Sequence, residues 1–266
     1  MSDAAIEMRG LVKRFGGGRS LFGREAAVVH AVRGVTLTLN RGETLGIVGE
    51  SGSGKSTLAR MLVGLEHPTE GTMTIDGQGW AALARAGNRA FGRAIQYVFQ
   101  DPVASLNPRK TISDILDVPL KQLRGYDASR RQARKRELLD AVQMPAGTLD
   151  RFPHEFSGGQ AQRIAIARSL AAEARILVLD EPVSALDVSV QAQVLLLLDE
   201  LKRELGLSYL FISHDLAVVE AISDRVAVMY LGEVVEEGPA GQLFASPRHD
   251  YTRDLIAAAP RLATSG

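Results

Sequence analysis

Between Gly49 and Thr57 the chain reads GESGSGKST, a spacing of glycines ahead of a lysine and a serine that can hold a run of phosphates. Glycine and small serines let the backbone bend until successive N–H groups point inward, which makes an anion-binding nest at a helix N-terminus. Gly49, Ser51, Gly52 and Gly54 form the cradle. Lys55 reaches the β- and γ-phosphates as a point charge, and the Ser56 hydroxyl can ligate a Mg²⁺ that bridges them. Thr57 is either structural or a further phosphate contact. A flexible Gly/Ser linker could match by accident, but the apolar run Thr44 to Val48 precedes this loop and the helical periodicity of Leu58 to Leu65 follows it. Strand, loop and helix come in the required order.

Other residues can complete a phosphoryl-transfer site. The apolar run Arg175 to Asp180 (RILVLD) ends in an acid, and Glu181 follows at once. Asp180 suits the Mg²⁺ shell, while Glu181 suits the role of general base on an attacking water. The bland alternative is a charged strand end. Gln100 closes the strand-like stretch Ile95 to Phe99, where ligands bind in open α/β sheets, so it is either a contact to Mg²⁺ or its water, or a solvated turn residue. His214, just past the buried stretch Ser208 to Ile212, either touches the γ-phosphate and orients the water or is merely structural. Ser157, Gly158, Gly159 and Gln160 open a long helical pattern with capping-box spacing, and a helix start of this kind is a second anion-binding surface or a bare cap. Phe15 is an adenine platform or a strand-end core residue, with Phe22 as a rival platform.

The positioning elements are those of an α/β fold. Ile6 to Phe15 and Val28 to Leu39 are rich in β-branched residues and predict an antiparallel layer ahead of the nucleotide core, separated by a glycine-rich loop. Gly71 to Asp76 predicts another strand, and Trp80 to Arg93 reads as helical or irregular. Prolines at 102, 108, 119, 145 and 153 punctuate two helical stretches, Thr111 to Leu123 and Ser129 to Val142. The basic run Arg130 to Arg136 on the second reads as a solvated face, with an anionic lipid or nucleic-acid patch as the alternative. Ser184 to Asp187 forms a turn capping a helix from Val188 to Glu204, Arg225 to Glu237 a hairpin, and Pro239 to Gly266 a helical tail. The expected organisation is one domain: a core over 1–101 and 154–240, a helical subdomain over 102–153 and a tail over 241–266.

Composition narrows the function classes. Lys plus Arg equals Asp plus Glu at 31 each, so the overall charge gives no sign of a polyanion partner. The chain has no cysteine, which removes disulfides, thiolate metal sites and a cysteine nucleophile. His30, His67, His154, His214 and His249 are too scattered to offer ligand spacing. No apolar run approaches membrane-spanning length, and the richest, Val194 to Leu198, meets Asp199 and Glu200.

In order along nearly the whole chain, these residues resemble the nucleotide-binding subunit of an ATP-binding cassette transporter. GESGSGKS is similar to the family's Walker A motif, Gln100 to its Q-loop and FSGGQ to its signature motif. ILVLDE is similar to Walker B with its catalytic glutamate, SALD to the D-loop ending at Asp187, and His214 to the switch histidine. Phe156 stands where the signature usually has leucine, and Ala161 where arginine is frequent. The resemblance implies a P-loop core with a mostly parallel sheet, an antiparallel β layer and an inserted helical subdomain. It implies ATP and Mg²⁺ as ligands, with Glu181, His214, Gln100 and Lys55 catalytic and Asp187 at the nucleotide. It also implies a second ATPase subunit, identical or paralogous, paired head to tail so that Ser157 to Gln160 serve the partner's ATP. Two transmembrane permease subunits and an extracytoplasmic solute-binding protein complete the expected assembly, at the cytoplasmic face of the inner membrane, with no nucleic acid. VFQDPVASLNPRKTI, PHEFSGGQ and SPRHDYTRDLIAAAP further resemble the peptide, opine and nickel importer branch. Competing readings are a soluble cassette ATPase acting on nucleic acid or ribosomes, and an exporter subunit.

Overall fold

The computed structural model describes residues 3–16 and 28–258. In chain order, β1 (Ala4–Phe15) and β2 (Val29–Asn40) lead to β3 (Thr44–Val48), α1 (Lys55–Leu62), β4 (Glu70–Ile75), β5 (Gln78–Gly79), α2 (Trp80–Ala86), α3 (Asn88–Ala94) and β6 (Gln96–Val98). Then come α4 (Pro102–Ser105), α5 (Ile112–Gln122), α6 (Ala128–Ala141), α7 (Gly158–Leu170), β7 (Ile176–Asp180), α8 (Val188–Leu205), β8 (Ser208–Ile212) and α9 (Leu216–Ile222). The last elements are β9 (Arg225–Tyr230), β10 (Glu233–Pro239), α10 (Ala240–Ala245) and α11 (Asp250–Ala258).

The strands form two sheets. One has the order β10-β9-β3-β8-β7-β6 and is parallel except for the β10–β9 pair. The other, β2-β1-β4-β5, is antiparallel throughout. Every residue of β3, β7 and β8 is buried, which is why those stretches are continuously apolar rather than alternating. Alternate side chains enter different cores. Leu210 and Ile212 join Ile6, Met8, Leu58 and Met61 under the antiparallel layer, whereas Tyr209 and Phe211 join Ile164, Leu198 and Leu116 among the helices. Each such fully buried aliphatic side chain contributes about 1.5–3 kcal/mol, so the sheet is clamped from both faces.

Several boundaries depart from the sequence expectations. Helix α1 starts at Lys55, not Leu58, because Gly54 in the left-handed region turns the loop directly into the helix. Residues 80–94 form α2 and α3, broken at Gly87. Helix α4 was not anticipated; Asp101 caps it by accepting the Ala104 N–H, and Pro102 occupies its first turn. The tail is two helices with a break at 246–249, and residues 259–266 fall outside the described chain.

The basic run on α6 is not a simple solvated face. Arg131 and Lys135 both pair with Asp117 of α5, at 3.2 and 3.0 Å, and Arg134 pairs with Glu137 and Glu173. Lys135 is only 5% exposed, and the Arg130 guanidinium lies 3.7 Å from the Tyr126 ring centre. Acids on neighbouring elements neutralise this helix from within the fold, leaving Arg136 and Arg130 as its exposed cations.

Candidate functional site

In a parallel sheet all carboxyl ends point the same way, and a ligand binds beyond them. Here β3 is followed by the glycine-rich loop, β8 by His214, β7 by Glu181 and β6 by Gln100. The strand order therefore gathers onto one edge residues separated by up to 165 positions (214 minus 49).

The loop is shaped by what a side chain would hit. Gly54 has φ +102°, and a Cβ there would stand 2.2 Å from the Ala31 carbonyl oxygen, so only glycine fits. Lys55 folds back under the loop and donates to the carbonyls of Gly49 and Glu50, both at 2.7 Å, and to Ser53 Oγ at 3.2 Å. Burial lowers its pKa, opposed by the carboxylates of Glu181, Asp180 and Glu50. Leu58, Met61 and Leu62 anchor α1 in the core and fix the lysine at its first turn. Ser51, Gly52 and Ser56 are exposed along the loop, and Thr57 is half-buried.

Asp180 is buried at the end of β7, with Oδ1 3.4 Å from Ser56 Oγ. Two hard oxygens side by side suit Mg²⁺, whose neighbouring octahedral ligands lie about 2.9 Å apart. The other oxygen, Oδ2, accepts from Tyr97 at 2.5 Å. Sequence reasoning missed Tyr97, because only the parallel pairing of β6 with β7 brings it beside Asp180. Burial first, then the Asp180 charge, pushes the Tyr97 phenol up, so it stays a donor and leaves Oδ1 turned to Ser56. Removing the hydroxyl of a residue that orients a metal-binding carboxylate costs roughly tenfold or more in metal affinity. Tyr97→Phe is accordingly expected to raise the Mg²⁺ concentration needed for half-maximal nucleotide turnover by about tenfold, read from a Mg²⁺ titration.

Glu181 has φ +52°, a left-handed conformation that costs a residue with a Cβ about 1–2 kcal/mol. The strain re-aims its carboxylate out of the strand line and onto His214, whose Nδ1 lies 2.8 and 2.7 Å from the two carboxylate oxygens. A carboxylate only accepts, so Nδ1 carries the hydrogen. Gln100 is exposed just past β6.

Ser157 caps α7: its Oγ accepts the Gln160 N–H at 3.4 Å, and Gln160 Oε1 accepts the Ser157 N–H at 3.1 Å. Among the described residues, the side-chain hydrogen bonds of Ser157 and Gln160 close on each other, and none reaches residues 49–57. Ser157, Gly158 and Gln160 are exposed, and this helix start packs on α8 instead. A Cβ on Gly159 would stand 2.4 Å from Val190 Cγ1, and Val190 is stiff in a helix. Gly159→Ala is therefore expected to cost about 1–3 kcal/mol, a Tm loss of several degrees in a thermal melt, which Val190→Ala partly restores. Asp187 caps α8 by accepting from Val190 N at 3.0 Å and Ser189 Oγ at 2.7 Å, and these bonds hold its carboxyl below the usual range. Ala161, at the position where arginine is frequent, is fully buried, and Phe156 lies 4.4 Å under the Arg151 guanidinium.

Phe15 is 37% exposed at the end of β1, and Lys13 Nζ stands over one face of its ring, 4.7 Å from the centre. Phe22 lies outside the described residues.

Loop, paired acids and histidine on the carboxyl edge of a parallel sheet define a P-loop nucleotide-binding fold. The family profile described as ABC transporter matches residues 32–184, more than half of the chain. The chain is 48% identical over 261 residues to the oligopeptide transport ATP-binding protein OppD of Mycobacterium tuberculosis, covering 98% of this chain and 42% of that one. It is 49% identical over 254 residues to the dipeptide transport ATP-binding protein DppF of Haemophilus influenzae, covering 96% of this chain and 77% of that one. A solved dimer of the ATP-binding cassette MJ0796, in a post-hydrolysis state bound to ADP and Pi, superposes with a TM-score of 0.76 at 29% identity, over 88% of this chain and 98% of that one. The chain belongs to the ABC transporter family. It spans less than half the length of the mycobacterial relative. Among the described residues no helix is long and apolar enough to cross a membrane.

Proposed function

We propose that the protein binds ATP with Mg²⁺ and hydrolyses it to drive peptide import through separate permease subunits. The observation that carries the reading is the Glu181 carboxylate held by His214 on the same sheet edge as Lys55 and Asp180. Lys55 keeps the Gly49 carbonyl and turns its remaining donors to β- and γ-phosphate oxygens. Ser56 and Asp180, with Gln100 nearby, would hold Mg²⁺, which would supply charge neutralisation on the phosphates. Glu181 takes the proton of the water that attacks the γ-phosphorus and displaces ADP, and the His214 N–H keeps the carboxylate aimed. Phe15, partly exposed at the end of β1, is the platform for the adenine.

The exposed helix start at Ser157 has no phosphate loop of its own to serve. It fits the γ-phosphate of ATP held by a second ATPase subunit, identical or paralogous, with Asp187 at the same junction. A groove of about 550 Å³, lined by Leu65, Tyr97, Phe99, Val118, Leu123 and Arg168, exposes Leu65, Phe99 and Val118, and Tyr97 in its wall donates to Asp180. It fits a helix of a permease subunit, and in this reading the chain sits peripherally at the cytoplasmic face of the inner membrane. The relatives' names favour peptides over opines or nickel, and the pairing of Arg131 and Lys135 with Asp117 reduces the basic face α6 could offer nucleic acid. With permease subunits and a solute-binding protein in proteoliposomes, peptide is expected to stimulate ATP hydrolysis; indifference to every peptide tried would contradict the peptide reading.

A further inference from the structure

Glu50 lies inside the phosphate loop, yet its N–H donates to the Tyr251 hydroxyl oxygen at 3.0 Å, across 201 residues of chain. The carbonyl of the same peptide unit, Gly49 O, accepts from Lys55 Nζ at 2.7 Å. One planar group is thus held at both ends, by the lysine on its oxygen and by the tyrosine on its nitrogen. Gly49 has no Cβ and φ +147°, so local sterics restrict rotation of this peptide only weakly. If it flipped, the N–H dipole would face the Lys55 ammonium where the carbonyl now stands, and the lysine would be repelled.

Tyr251 is itself firmly mounted. Its ring lies against Tyr230 at the end of β9, with centroids 4.1 Å apart. Glu236 of β10 accepts the N–H groups of Arg248 and His249 at 2.8 and 3.0 Å, and Tyr251 N–H donates to His249 Nδ1 at 3.2 Å. Thr252, next along α11, is 1% exposed. The segment SPRHDYTRDLI therefore seats one hydroxyl on the phosphate loop.

We propose that Tyr251 is a positioning residue for nucleotide binding, fixing the Gly49–Glu50 peptide and through it Lys55, so that the seating of α11 sets nucleotide affinity. The proposal rests on the nucleotide reading of the loop. Tyr251→Phe keeps the ring on Tyr230 and removes only the hydroxyl. In the full chain, calorimetric ADP affinity is expected to fall about threefold to tenfold, the loss that one hydrogen bond produces. Exchange of the Glu50 amide with solvent should accelerate while the amides of β3 stay protected, a local signature that general loosening of the fold would not give. The neighbouring Tyr230→Phe should bind ADP as the wild type does. ADP affinity of Tyr251→Phe within twofold of wild type, or loss of protection spread over β3, would overturn the positioning role alone. A wild-type chain that fails to bind ADP would overturn the nucleotide reading and this proposal with it.

Discussion

Replacing Glu181 by glutamine is expected to stop steady ATP turnover while ATP stays bound. The amide matches the carboxylate in size and can still accept from His214 Nδ1, so geometry and fold are kept. It cannot take a proton from water. General-base catalysis contributes about 10²- to 10⁴-fold, and the rate should fall by at least the lower figure. The left-handed φ at residue 181 burdens Glu and Gln equally, so the melting temperature should not move. Phosphate release together with nucleotide retained after gel filtration reads both halves of the expectation. Turnover at the wild-type rate would remove Glu181 from the role of base.

The second large effect is expected at Lys55. The residue is 7% exposed, and its ammonium feels Glu181, Asp180 and Glu50, three carboxylates that repel a triphosphate. Hydrogen bonds to charged groups are worth about 1.5–3 kcal/mol, so Lys55→Met should weaken nucleotide binding by roughly tenfold to 150-fold. Methionine keeps the aliphatic stem, and the effect should therefore appear in affinity with little change in Tm. Arginine is not expected to rescue, because its planar fork does not fit a cavity that packs one point charge against two carbonyls and a serine. Equilibrium titration with ATP in the absence of turnover measures this directly.

The sequence made the backbone-dictated parts of this site readable. Gly54 must be glycine because of its φ and the approach of Ala31, and such a requirement leaves a mark in the chain itself. The acid pair at 180–181 was readable because the run before it is buried on both faces. The residues that escaped notice act through pairing across long separations. Tyr97 meets Asp180 only because β6 lies beside β7, and Tyr251 meets Glu50 only because the tail returns to β9. A tyrosine in an apolar run or in a tail helix has nothing local to mark it. The same holds for Lys135, which looked solvated until Asp117 of a neighbouring helix came opposite it. Gly159 was read as part of an anion-binding cap, yet its want of a side chain also lets α7 approach Val190, a packing reason invisible along the chain.

In the proposed assembly the phosphate loop is half of a site, and the helix start at Ser157 is given to another subunit. Lys55→Met disables one half and Ser157→Arg the other, so each variant alone should be inactive. Mixed in equal amounts with ATP and Mg²⁺, half of the pairs are mixed and each mixed pair holds one intact site of two, so turnover should return to about a quarter of the wild-type rate. A mixture that remains as inactive as its components, where the wild type turns over, would show that each chain builds its site alone.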